Sequence, residues 1–269
     1  MRRVVKFRRP NRIKLGRKPL LSKIGDYLFF MFHCALVLAA GIALYVIDGD
    51  VFFAKPLAVV FSIAYLTLSV SFHEFGHSLV AYRSGDYSAK SSGYLQLNFL
   101  KYSDAQSSFF AIFVFMISGI FLPAGVVYLN EYHIDRKKLL WVYLAGPFAD
   151  IVTLSASVLL LSLVITDGSS FFNDVSCALI VIKVVYIVFN LLPIPSLDGY
   201  NALAELAPER INYSMKSFGA QFGVYILVLV MVVPTDLLSP IWNAAYSISE
   251  SMGISVVGAR SGFDHISLF

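Results

Sequence analysis

The sequence predicts an all-α polytopic membrane protein with about five transmembrane helices, and three observations carry that expectation. Hydrophobic residues make up 58% of the 269-residue chain and charged residues only 14%, where an ordinary soluble domain carries about a quarter charged. The apolar residues come in long blocks, several close to the about 20 residues that cross a bilayer as helix. Ten of the 21 Lys and Arg residues fall within the first 23 positions, directly ahead of an apolar block. A basic arm can bind nucleic acid, but next to a span it anchors the cytoplasmic side against anionic headgroups. Helix insertion explains the arm without a second function, so no nucleic-acid partner is expected.

Five blocks read as spans: Tyr27–Ile47, Pro56–Tyr82, Leu139–Ile165, Val175–Leu192 and the shorter Phe218–Val233. The first is too long for the h-region of a cleaved signal peptide, about 7–15 residues. Cys34 and Cys177 lie inside apolar blocks and read as small core residues, without the cysteine framework of a secreted domain. Lys183 falls inside the fourth span, where snorkelling toward the outer face is the expected escape for its charge.

Residues 109–129 are apolar enough for a sixth crossing, yet they are rich in Phe, Val and Ile and contain Gly119, Pro123 and Gly125. A crossing would also put Arg136, Lys137 and Lys138 on the side opposite the N-terminal arm. A segment that dips in and returns keeps eighteen of the 21 cations on the cytoplasmic side, in line with the positive-inside tendency. A re-entrant, strand-like element after the second span is therefore expected, with Tyr94–Phe99 as a candidate strand from its period-two alternation. Ile241, Ala245, Ile248 and Met252 stand at helical spacing in the C-terminal stretch, which suits an amphipathic helix or a frayed tail.

The organisation expected is a basic cytoplasmic arm over 1–25, a membrane-embedded domain over 26–234 and a tail over 235–269. The chain is expected in the cell membrane, with its N-terminus cytoplasmic.

The chemistry concentrates in His73-Glu74-Phe75-Gly76-His77. Histidines at i and i+4 project from one helix face and can reach one ion, while the Glu beside the first can take a proton from water. Three ionisable groups within five residues of a span are costly unless they bind something. A hydrolytic zinc site takes three protein ligands and keeps one position open. Candidates for the third at membrane depth are Asp150, Asp198 and His33. Asp198 stands out because Pro193 and Pro195 break the preceding helix and Gly199 follows, although such a segment also suits an ordinary turn.

His73-Glu74-Phe75-Gly76-His77, Leu144-Ala145-Gly146-Pro147 and Asn190-Leu191-Leu192-Pro193-Ile194-Pro195-Ser196-Leu197-Asp198-Gly199 stand in the order found in site-2 proteases. The chain resembles that family of intramembrane zinc metalloproteases over about 56–207, which would be its catalytic core. The resemblance implies zinc held by His73, His77 and Asp198, Glu74 as the catalytic base, and Asn190 touching substrate or the developing oxyanion. It implies cleavage of peptide bonds in or near transmembrane segments of membrane proteins or peptides, on the cytoplasmic side, with substrate reached in the lipid bilayer or presented by a partner. Asp150 departs from the family, where many members have Asn. The alternatives are a catalytically silent zinc-binding membrane protein and a metal transporter, which would need a ligand path through the bilayer.

Overall fold

In the computed structural model, described for residues 20–47, 52–102, 130–131, 134–164, 171–232 and 238–267, helices α1 (Leu20–Val46) and α2 (Ala54–Ser84) pack side by side. Two short helices follow, α3 (Ser88–Ser92) and α4 (Phe99–Tyr102). Then come α5 (Arg136–Val164), α6 (Phe171–Asn190), α7 (Asp198–Leu206), α8 (Glu209–Val232), α9 (Ser239–Ser251) and α10 (Val256–Ile266). Five of these, α1, α2, α5, α6 and α8, are long and apolar enough to cross a membrane. Their exposed faces carry large apolar side chains, including Met31, Phe32 and Leu38 on α1, Phe148 and Leu163 on α5, and Tyr225 and Leu229 on α8. A contiguous surface of that kind is rare on a soluble monomer and suits lipid.

The five spans expected from hydropathy are present, with ends shifted by the residues that satisfy helix termini. The largest shift is in α8. Its first turn begins at Glu209, because the Pro208 carbonyl accepts from the amides of Ile211 and Asn212 and starts the helix in polar sequence. The α2 helix stops at Gly85, whose φ of 120° is a conformation that favours glycine. Asp86 then accepts from the amide of Asn130 at 2.9 Å, which returns the chain to the C-terminal end of α2.

No strand occurs among the described residues. The expected strand at Tyr94–Phe99 is instead a series of turns and bends that runs into α4. Leu97 has a φ of 49°, which no strand tolerates. The alternation there serves anchoring: Asn98 donates to Asp26 of α1 at 2.8 Å, and Tyr102 donates to the Tyr94 carbonyl at 2.6 Å. The expected re-entrant segment, 109–129, lies outside the described residues.

The α6 helix sits at the centre. In its most apolar window 72% of residues are buried, against 6% for α8, which packs chiefly on α7. Leu179 and Ile182 of α6 pack on Leu44 of α1 and Leu66 of α2, while Val181 and Val184 meet Leu154 of α5 and Ala245 of α9. The C-terminal stretch is thus two helices docked on α6, neither frayed nor free. The α7 helix is held at its other end by ions. Glu205 pairs with Arg136 at 3.3 Å and with Lys216 at 2.5 Å, and Lys216 also reaches Glu131 at 2.7 Å.

Both cysteines are free, and Cys177 is buried in the α6–α9–α10 contact. Gly262 of α10 lies so close to α6 that an added methyl would overlap the Asp174 backbone carbonyl. In a Cys34→Ala background, Gly262→Val is expected to push α10 off α6 and speed maleimide labelling of Cys177. An unchanged labelling rate contradicts this packing.

Candidate metal centre

His73 and His77 lie in the last third of α2, on the face turned to α5. Two glycines let the helices approach there. A Cβ on Gly76 would stand 2.5 Å from the Ala145 carbonyl oxygen, and one on Gly146 would overlap the imidazoles of His77 and His73. Small residues at a crossing bring membrane helices into backbone contact. Pro147 sits inside α5 at this point, where its missing N–H leaves the Tyr143 carbonyl without its helical donor.

The α5 helix also holds the far nitrogens of both imidazoles. His77 Nδ1 donates to the Val142 carbonyl at 2.7 Å, and His73 Nδ1 donates to Asp150 Oδ2 at 2.6 Å. A carbonyl only accepts, so the proton of His77 is on Nδ1 and its Nε2 carries the free lone pair. The same assignment follows for His73 from the charged acceptor. The two Nε2 atoms converge at 3.0 Å.

The third group comes from beyond the end of α6. After Asn190, Pro193 and Pro195 end the helix, Ser196 takes a φ of 79°, and α7 starts at Asp198. Gly199 is required at this turn, because a Cβ would overlap the Leu191 carbonyl. The result places Asp198 Oδ2 at 3.2 Å from His73 Nε2 and 3.4 Å from His77 Nε2.

His73, His77 and Asp198 form the cluster, among the described residues, whose donor atoms could hold one metal ion. The donors fit zinc. Three lone pairs this close repel unless a cation stands among them. Ligands about 2.05 Å from one tetrahedral zinc lie about 3.3 Å apart, and the observed separations of 3.0, 3.2 and 3.4 Å bracket that value. The Asp198 side chain is 14% exposed and the His73 side chain 4%, so the site opens on the Asp198 side. Glu74 is buried next to His73.

Two other candidates fall elsewhere. His33 Nε2 donates to the Ala64 carbonyl at 3.0 Å, lies 3.1 Å from Thr67 Oγ1 and ties α1 to α2. Asp150 is a partner of His73 rather than a third ligand, because its carboxylate meets the far nitrogen of the ring. Asn190 is buried at the end of α6, and among the described residues its Nδ2 has no hydrogen-bond partner. Tyr186, one turn earlier, packs edge-on against His73 with ring centroids 5.4 Å apart. The sequence reading missed Tyr186, whose only signal was its position four residues before Asn190. Lys183 does not snorkel. It is 2% exposed, donates to Ser69 Oγ and lies 3.5 Å from Asp150 Oδ1.

A helical His-Glu-x-x-His and a carboxylate from a neighbouring turn define a metal-dependent hydrolase site, here set between membrane-spanning helices. The comparisons narrow that class. The family model described as peptidase family M50 matches residues 61–179, which include His73, Glu74, His77 and Asp150. The chain is 35% identical to "Putative zinc metalloprotease Rip2" of Mycolicibacterium smegmatis, over 81% of this chain and 84% of that protein. It is 32% identical to the protein of the same name from Mycobacterium tuberculosis, over 83% and 87%. It is 30% identical to "Putative zinc metalloprotease YwhC" of Bacillus subtilis, over 72% and 92%. The chain belongs to peptidase family M50. No solved structure matches it.

Gly146→Ala places a methyl on both imidazoles, whereas Gly25 has nothing within 4 Å of an added Cβ. Metal analysis of the purified proteins is expected to show loss of bound zinc in Gly146→Ala and full retention in Gly25→Ala. Equal zinc in both contradicts the close crossing at Gly146.

Proposed function

We propose that the chain is an intramembrane zinc metalloprotease that hydrolyses peptide bonds in or near transmembrane segments of membrane proteins or peptides. The observation that carries this is the convergence of His73 Nε2, His77 Nε2 and Asp198 Oδ2 between buried helix faces, with Glu74 beside them. The M50 membership supports the peptidase chemistry, and the five apolar helices support the setting.

His73, His77 and Asp198 hold the ion. When bound there, zinc lowers the pKa of a coordinated water toward about 7 and polarises the scissile carbonyl. Glu74 accepts the proton of the attacking water and delivers it to the leaving amine. Glu74 is buried, so the carboxylate is kept from bulk water between the two transfers. Asn190 offers its unspent Nδ2 to the carbonyl oxygen as negative charge develops there. Asp150 and the Val142 carbonyl fix the two imidazoles by their far nitrogens.

The substrate reaches the site from the bilayer or from a presenting partner, and its helix must unwind to expose a carbonyl. The turns at Tyr94–Asn98 are not a strand edge, so pairing with an extended substrate is not assigned to them. Orientation follows the cations. His73 and His77 lie near the end of α2 that carries Arg83, and Arg136 and Arg210 stand at the same end of α5 and α8. That end is taken as cytoplasmic, together with the N-terminus. One-sided placement of the ionisable groups also disfavours a metal transporter.

Glu74→Gln is expected to keep zinc and lose cleavage of a membrane-peptide substrate, read by mass spectrometry of reconstituted vesicles. A zinc-loaded Glu74→Gln protein that still cleaves sinks the proposal. Asn190→Ala is expected to lower kcat by about 100-fold, the usual cost of one oxyanion donor, with zinc content unchanged. An unaltered kcat removes Asn190 from the mechanism.

A further inference from the structure

No step above uses Lys183, although an ammonium this deep in a span is costly unless it is matched. Lys183 comes from α6, Asp150 from α5, and Ser69 and His73 from α2. The Lys183 ammonium donates to Ser69 Oγ and lies 3.5 Å from Asp150 Oδ1. The other oxygen of the same carboxylate, Oδ2, accepts from His73 Nδ1 at 2.6 Å. Asp150 is fully buried, with no exposed side-chain surface, and its oxygens are divided between these two partners.

The charges agree with this division. The buried site brings together three carboxylates, Glu74, Asp150 and Asp198. A divalent ion balances two of them, and Lys183 is the described cation that meets the third. Without it, Asp150 would stand in the bundle as an acceptor with one partner fewer, and nothing else described would hold its Oδ1 in place.

We propose that Lys183 is a positioning residue for the metal centre: acting through Asp150, it holds the His73 ring with Nε2 turned toward the ion. This rests on the metal-site reading above. The Lys183–Asp150 pair locks α6 and α5 to one side chain of α2, so the imidazole is fixed from three helices. Ser69 completes the seat by accepting from the ammonium one helical turn before His73. Partners of this kind behind a metal-bound imidazole typically change metal affinity by about 10- to 100-fold when removed. A lysine that only stabilised the bundle would leave that affinity alone.

The test is zinc affinity of the full-length chain in detergent, by competition with a chromophoric chelator, alongside kcat and KM for a membrane peptide. Lys183→Met is expected to bind zinc about 10- to 100-fold more weakly and to lose kcat with KM little changed. Adding Lys183→Met to Asp150→Asn is expected to cost no further affinity, because the lysine acts through that carboxylate. Where the Met variant fails to fold by size exclusion, Lys183→Gln keeps a donor to Ser69 without the charge and is expected to show the same weakening. A folded Met or Gln variant that binds zinc as tightly as the unaltered chain overturns the proposal, as do losses that multiply in the double variant. An unaltered chain that takes up no zinc overturns the metal-site reading, and this proposal with it.

Discussion

Where α2 and α5 cross, neither backbone leaves room for a methyl group, and the remaining geometry of the site depends on that contact. Gly76 faces the Ala145 carbonyl, and Gly146 faces the two imidazoles. At any wider separation the Val142 carbonyl could not reach His77 Nδ1 and Asp150 could not reach His73 Nδ1. Those two bonds decide which ring nitrogens face the ion. The fold therefore uses a close helix approach to orient two histidines. The approach is driven by packing, since lipid offers no hydrophobic reward for bringing apolar helices together.

Charge in the bundle is arranged around the same contact. Asp150 meets His73 and Lys183, while Asp198 meets both imidazoles across the opening of the site. Asp198 itself is placed from the outside. The turn at 191–197 breaks α6, and the α7 helix that follows is clamped by Arg136, Lys216 and Asn212 around Glu205 and the Ala204 carbonyl. The metal-facing carboxylate is thus set at one end of a short helix whose other end is fixed by ion pairs. Ion pairs half-open to water add little stability singly; here several share one glutamate and fix its position.

Much of this was legible in the sequence, for physical reasons. Long apolar blocks located the five spans, because a bilayer imposes a length. The i, i+4 histidines marked two candidate ligands, because a helix imposes a face. Asp198 was the best of three candidates on local sequence, still open to reading as an ordinary turn, and only the family resemblance implied it as the third ligand. The errors came from interactions between distant segments. Lys183 read as snorkelling because nothing local marks a partner; that partner, Asp150, lies 33 residues away. Two lone charges in separate spans were nonetheless a hint that they pair. Tyr94–Phe99 alternates like a strand, yet its polar residues serve to anchor the loop to α1, and periodicity does not distinguish those uses. The tail showed a helical stripe, but which surface it covers depends on α6.

The central claim is that one ion is held by two imidazoles and one carboxylate from these positions. X-ray absorption spectroscopy of the zinc-loaded protein reads that donor set directly. The account predicts nitrogen and oxygen donors at about 2.0–2.1 Å with outer-shell scattering from two imidazoles, and loss of one imidazole signal in His73→Ala. A sulfur shell at about 2.3 Å, which would bring in Cys34 or Cys177, or scattering from a third imidazole would contradict it.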